Sequence, residues 1–372
     1  MTDARRRYEL ADPALERDLE LLVERAQALY GPSDSAESVR QILVTALRLV
    51  SDGASRADLK LVSNALKELR HAFRVFAPYE NVRKVAVFGS ARTEPGTPAF
   101  EQARRFGERI VEAGWMVITG AGDGIMGAAQ LGAGRAHSFG VNIRLPWEQQ
   151  PNAVIAGDPK LVNFRYFFTR KLAFLKEAHA IALFPGGFGT HDEGFEALTL
   201  IQTGRSEILP VVFIDEPGGQ YWQNWRRYVD DDLGAAGLIS PEDVSLFRVT
   251  DDVDVAVREA VDFYRNYHSS RFVDDLLVLR VRVVPDAGQL AALNDEFADL
   301  FTSGRLQIVP PLAEEGGEVP EYARITLRFD RRRAGRLRLL IDRLNALATD
   351  RPSPRDASPR AISEGMPPEA ER

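Results

Sequence analysis

Cysteine is absent from all 372 residues. That excludes disulfides, thiolate metal sites and a cysteine nucleophile, and it leaves the compartment open. Histidine is nearly as scarce: the five present stand at no ligand-like spacing, so no metal is expected. No stretch approaches the ~18 apolar residues that a membrane span requires. The opening Met1-Thr-Asp-Ala-Arg-Arg-Arg-Tyr-Glu-Leu10 lacks the apolar core of a signal peptide. Positive charge is not in excess either. A net charge of −7 gives no global pull toward nucleic acid or an anionic membrane, so neither is expected as a partner. A cytoplasmic enzyme or binding protein is the resulting expectation. What the chain does have is apolar content, 45%, and length enough for two or three domains.

Residues 1–80 read as a helical arm. Leu15, Leu19, Leu22, Ala26 and Leu29 recur at helical spacing before Gly31-Pro32, followed by Val39, Ile42, Leu43, Ala46, Leu47 and Val50, then Leu59, Val62, Leu66, Leu69, Phe73 and Phe76. Such seams call for burial, against the same subunit or another. From 82 to 268 the pattern alternates. Apolar strands are expected at Val85–Phe88, Met116–Thr119, Phe139–Ile143, Ala180–Phe184, Val211–Ile214 and Leu246–Val249. Helices are expected at Phe100–Ala113, Ile125–Ala133, Phe164–Ala178, Thr190–Gln202, Trp222–Leu233 and Val253–Tyr267. Apolar strands separated by helices predict an α/β class protein with a doubly wound, Rossmann-like parallel sheet. Residues 271–349 read as βαββα, a small C-terminal α+β domain of ferredoxin-like or ACT-like type, either regulatory or simply packed on. Its run Arg328, Arg331, Arg332, Arg333, Arg336, Arg338 reads as a solvated helix start. Residues 350–372, rich in proline, serine and charge, are expected to be disordered.

The stretch around which the rest is organised is Ile181-Ala-Leu-Phe-Pro-Gly-Gly-Phe-Gly-Thr-His-Asp-Glu193, which reads as strand, glycine turn, helix. Gly186, Gly187 and Gly189 free the backbone for unusual conformations and for close approach of a ligand. The unpaired amides at the following helix start suit an anion such as phosphate. Thr190-x-x-Glu193 equally reads as a capping box with an acid in the first turn. In Phe164-Arg-Tyr-Phe-Phe-Thr-Arg-Lys171, an apolar helix face through Phe164, Phe168, Leu172 and Leu175 leaves Arg170 on its shoulder, looking outward, where a solvated arginine is an equally good reading. Lys171 points into the apolar face, where its charge must be paired or escape to water. Gly89-Ser90, Gly120 to Gly127 and Gly186 to Thr190 all follow strands and would open on one sheet edge, where such sheets bind ligands. A dinucleotide fingerprint at Gly120-x-Gly122 is a poor match, because the glycine spacing is wrong and the motif follows the second strand.

Taken in order, Val85-Ala-Val-Phe-Gly-Ser90, Thr119-Gly-Ala-Gly-Asp-Gly-Ile-Met-Gly127, Val141-Asn-Ile-Arg-Leu-Pro-Trp-Glu-Gln-Gln-Pro-Asn152, Arg170-Lys171 and Pro185-Gly-Gly-Phe-Gly-Thr-His-Asp-Glu193 resemble the LOG ("Lonely Guy") family over about residues 82–268. Its members are phosphoribohydrolases that were often mislabelled lysine decarboxylases. The resemblance implies hydrolysis of the base-to-ribose bond of a nucleoside 5′-monophosphate, with no cofactor, by a homodimer whose sites lie near a subunit boundary. It makes Arg170 and Glu193 the catalytic pair. Gly89, Ser90, Gly120, Gly122, Gly124, Asn142, Lys171, Gly186, Gly187, Gly189 and Thr190 become the substrate-binding set. A non-catalytic nucleotide or molybdenum-cofactor carrier is the rival reading. Three departures leave the choice of base open. Phe167-Phe168-Thr169 replaces the histidine-containing segment of plant members, Ala121 replaces a middle glycine, and Asp123 places a carboxylate where a small residue is frequent.

Overall fold

The computed structural model describes residues 8–31, 36–144 and 150–348. The expected disordered tail at 350–372 and the Trp147-Glu148-Gln149 part of one motif lie outside them.

The chain divides into two compact units, Met1–Lys67 and Glu68–Arg372. The first holds α1 (Pro13–Tyr30), α2 (Ala36–Ser51) and the start of α3 (Arg56–Phe76). Asp12 caps α1 by accepting from the amides of Ala14 and Leu15 at 2.7 and 3.2 Å, with Pro13 pre-set for the first turn. Of the expected seam residues only Leu19 and Phe76 are buried; Leu15, Leu22, Leu29, Ile42, Val50 and Leu66 stay exposed.

The second unit is built on a seven-stranded sheet of order β4-β3-β2-β1-β5-β6-β7. Its strands are β1 (Lys84–Phe88), β2 (Met116–Thr119), β3 (Ser138–Ile143), β4 (Leu161–Phe164), β5 (Ala180–Leu183), β6 (Val211–Ile214) and β7 (Phe247–Thr250). Every pairing is parallel. The fully buried β1, β2, β5 and β6 have no polar face because helices cover both sides of the sheet. Those helices are α4 (Pro98–Glu112), α5 (Ile125–Ala133), α6 (Phe167–Glu177), α7 (Phe188–Gln202), α8 (Tyr221–Tyr228) and α9 (Val253–Asp262). Strand order reverses between β1 and β5, so a crevice is expected beyond their carboxyl ends.

Several boundaries differ from expectation: the helix expected over Trp222–Leu233 ends at Tyr228, and β4 is not among the expected strands. Phe164 ends β4, paired with Ile143, and α6 begins only at Phe167; the run of aromatics there satisfies strand and helix periods alike. The helix expected to reach Tyr267 stops at Asp262, and Tyr267 opens β8 (Tyr267–Val273). With β9 (Leu276–Val281), β10 (Phe301–Val309) and β11 (Ala323–Phe329), β8 forms an antiparallel sheet of order β10-β11-β9-β8, accompanied by α10 (Ala287–Glu296) and α11 (Ala334–Asn345). β11 lies antiparallel between β9 and β10, the split βαβ arrangement of ferredoxin-like folds. The fourth place is filled by β8, from the N-terminal side.

The basic run is not merely solvated. Arg333 and Arg336 hold Asp299, Arg332 holds Asp330, and Arg338 holds Asp342 and Glu259.

Candidate active site

At the reversal of strand order the chain leaves β1 through Gly89-Ser90 and β5 through Pro185-Gly186-Gly187. The two turns are stitched together: the Ser90 amide donates to the Pro185 carbonyl at 3.1 Å, and the Ile125 amide to the Ser90 carbonyl at 3.0 Å. A Cβ at Gly186 would lie 2.1 Å from Thr190 Oγ1, so glycine is required there by contact. Gly187 and Gly189 face open space instead, and none of these three takes a left-handed conformation. What they provide is close approach to the main chain, rather than the unusual backbone expected of them.

Gly187 is the N-cap of α7. The amides of Thr190 and His191 bond back to its carbonyl at 3.1 and 3.3 Å. Those of Phe188 and Gly189 precede them and have no carbonyl a turn back, leaving two donors at the positive end of the helix. The capping box does not form: Thr190 is the third helical residue, and Glu193, the sixth, belongs to the second turn.

Arg170 reverses its expected direction. The inner face of α6 is Thr169, Ala173, Phe174 and Glu177, whereas Phe167, Phe168 and Leu172 are about half exposed. Arg170 therefore points inward. Its Nε donates to the Val141 carbonyl at 2.9 Å, and its guanidinium lies 5.1 Å from the Phe174 ring centre. Gly120 makes room for it, since a Cβ there would come within 2.6 Å of Nη2. Arg170 Nη1 is 3.9 Å from Glu193 Oε1, with both side chains near one-tenth exposed. That is attraction without a hydrogen bond. Burial lowers the Arg170 pKa, opposed by the Glu193 charge. Burial likewise raises that of Glu193, with Arg170 and then Lys171 pulling the other way.

A cleft of about 990 Å³ opens over this pair. Of the expected residues it is lined by Gly89, Ser90, Arg170, Gly186, Gly187, Gly189, Thr190 and Glu193. Five others do not line it. Gly120 backs Arg170, and Gly124 packs under Ser90 and Ala91. The Gly122 carbonyl accepts from Asn152 Nδ2 at 2.9 Å. Asn142 donates to Asn163 Oδ1 at 2.9 Å across β3 and β4. Lys171 turns to Asp192 and Glu196. Asp123 is exposed and is likewise not part of the lining. Sequence reasoning missed Arg92, His191 and Tyr221, which line the same cleft. Arg92 follows Ser90 by two residues, a signal that could have been used. The Tyr221 hydroxyl donates to the Gly186 carbonyl at 2.5 Å across 35 residues of sequence, which no local pattern announces.

Residues 124–260 match a family model described as "Possible lysine decarboxylase". The chain is 31% identical over 142 residues to the pyrimidine/purine nucleotide 5′-monophosphate nucleosidase of Escherichia coli (strain K12), covering 36% of this chain and 31% of that protein. It is 29% identical over 167 residues to the probable cytokinin riboside 5′-monophosphate phosphoribohydrolase LOGL5 of Oryza sativa subsp. japonica, covering 43% of this chain and 63% of that one. The chain thus spans about a third of the nucleosidase's length. Among solved structures, the molybdenum cofactor binding protein of Rippkaea orientalis aligns at 16% identity over 48% of this chain and 93% of that one, with a TM-score of 0.34. The molybdenum cofactor carrier protein of Chlamydomonas reinhardtii aligns at 21% identity over 47% and 94%, with a TM-score of 0.32. No helix among the described residues is long and apolar enough to cross a membrane. Residues 124–260, which carry the Arg170–Glu193 pair, are thus similar to a family model and to curated proteins of LOG type.

Proposed function

We propose that this protein hydrolyses the N-glycosidic bond of nucleoside 5′-monophosphates, releasing free base and ribose 5-phosphate. The observation that carries the reading is the meeting of Arg170 and Glu193, from different helices, at 3.9 Å beneath an open cleft. The relatives' names point to the same bond.

The phosphate sits on the amides of Phe188 and Gly189, with Arg92 as a nearby counter-charge. Glu193, one turn further along α7, then lies under the ribose. As the bond to the base breaks, positive charge grows on the sugar ring, and the ionised carboxylate stabilises it. The same carboxylate holds the attacking water and takes its proton as oxygen adds to C1′; the electron pair of the broken bond leaves with the base. Arg170, too far for a hydrogen bond in the empty cleft, keeps Glu193 ionisable against the effect of burial. The site works as part of a homodimer in this reading, with the exposed Phe167, Phe168 and Leu172 beside the cleft available to a second copy.

The test is incubation of the purified protein with a panel of nucleoside monophosphates, with free base followed by chromatography. Base release that disappears in Glu193→Gln is the expected result. Nucleotide binding with no release from any panel member would overturn hydrolysis in favour of a carrier.

A further inference from the structure

Lys171 follows the arginine of the catalytic pair and was expected to contact substrate. It does not line the cleft. From α6 its ammonium reaches across to α7, 2.8 Å from Asp192 Oδ2 and 2.5 Å from Glu196 Oε2. Those two acids bracket Glu193 in sequence: Asp192 precedes it directly, and Glu196 stands three residues on, on the adjacent helical face. Three carboxylates are thereby crowded onto about one turn of helix, and two of them share one cation whose side chain is largely enclosed.

We propose that Lys171 is a positioning residue: by bridging Asp192 and Glu196 it ties α6 to α7 and neutralises the two charges flanking Glu193, so that Glu193 can stay ionised inside the cleft. This rests on the nucleosidase reading for its kinetic consequence but not for its electrostatic one. Charges acting on Glu193 come from both helices. Arg170 and Lys171 favour its ionised form; Asp192 and Glu196 oppose it, and burial opposes it most. Asp192 itself lines the cleft, together with Arg92, His191 and Tyr221. Without the lysine, two uncompensated negative charges face a carboxylate already disfavoured by desolvation. The Glu193 carboxylate is then pushed toward its protonated form, in which it neither stabilises a cationic sugar nor accepts a proton from water.

The experiment compares wild type, Lys171→Met, Lys171→Arg and the triple variant Lys171→Met/Asp192→Asn/Glu196→Gln. Two readouts are used: a ¹³C NMR titration of the Glu193 carboxyl, and the pH profile of base release from AMP. In Lys171→Met the Glu193 titration and the acidic limb of kcat/KM both move to higher pH, and the rate on the acid side of the limb falls roughly three- to tenfold. The triple variant, which removes the lysine together with the charges it balanced, brings both back toward wild type. Lys171→Arg stays close to wild type throughout. An unmoved Glu193 titration in Lys171→Met, or a raised KM with an unmoved limb, overturns the proposal, the latter in favour of direct substrate contact. So does a triple variant no closer to wild type than the single one. If Lys171→Met does not fold, the triple variant and Lys171→Arg decide the matter by the same titration. If wild type releases no base, the nucleosidase reading fails while the NMR titration still tests the lysine.

Discussion

Two enclosed groupings of arginine with glutamate in this molecule are treated oppositely. In the accessory sheet, Glu315 accepts from Arg280 Nε at 2.8 Å and from Arg324 Nε at 3.0 Å, and Arg324 further donates to the carbonyls of Glu318 and Val319. Although desolvation works against the charge, these hydrogen bonds hold the Glu315 carboxyl down at about 2. In the cleft, Arg170 and Glu193 stop at 3.9 Å, and the Glu193 carboxyl is raised. Burial acts in the same direction at both sites; completeness of hydrogen bonding decides the outcome. A finished network pins the 310–322 loop and has nothing left to offer a ligand. An unfinished pair retains its capacity for one.

The sharpest way to break this contrast is at Glu193. Replacing it with glutamine should lower kcat for base release by about 10³ or more while leaving the melting temperature unchanged or higher. The sign follows from its raised pKa. A carboxyl titrating higher in the folded protein than in the unfolded chain costs stability once pH exceeds the unfolded value, and the cost is complete above the folded one. Removing the group therefore relieves the fold at neutral pH and does nothing in acid. A clear drop in melting temperature at pH 7 would remove the distinction between the two sites.

Glu315→Gln should do the reverse, destabilising by about 3–5 kcal/mol in urea titration because two enclosed guanidinium groups lose their counter-charge, with little direct effect on the cleft chemistry. Its pKa is depressed, so its contribution is fully present above the ordinary value of 4.5 and fades as pH falls toward about 2. Stability of wild type should therefore drop across that window, and the variant should drop less.

A smaller effect is expected at Ala121, which holds φ at +63° where a glycine is expected by resemblance. Ala121→Gly should stabilise by about 1 kcal/mol if relief of the left-handed strain exceeds the entropy lost by glycine. Denaturant midpoints measure it. Arg332→Ala should be nearly silent by the same measurement, since the Arg332–Asp330 pair sits on an arginine 89% exposed.

The legible parts of the fold were those where one element announces itself. Val85–Phe88, Met116–Thr119 and Val211–Ile214 are short apolar runs with turn residues beyond them, and they are buried strands. The glycine turns after β1 and β5 could be assigned to one edge because parallel topology puts all carboxyl ends together. The direction of Arg170 was not legible. Two stripes of α6 are apolar, one through Phe168 and Leu172 and one through Ala173 and Phe174, and periodicity finds stripes without saying which one meets the sheet. The hydrogen bond from Tyr221 to Gly186 depends on a contact between chain segments that carry no mark of each other.

Gly120 carries a last consequence. It does not line the cleft, yet any side chain there would meet the Arg170 guanidinium from behind. A relative with alanine or serine at that position could keep every recognised motif residue and still have a displaced arginine. For sorting working enzymes from retired ones, this hidden position would be more informative than another glycine on the rim.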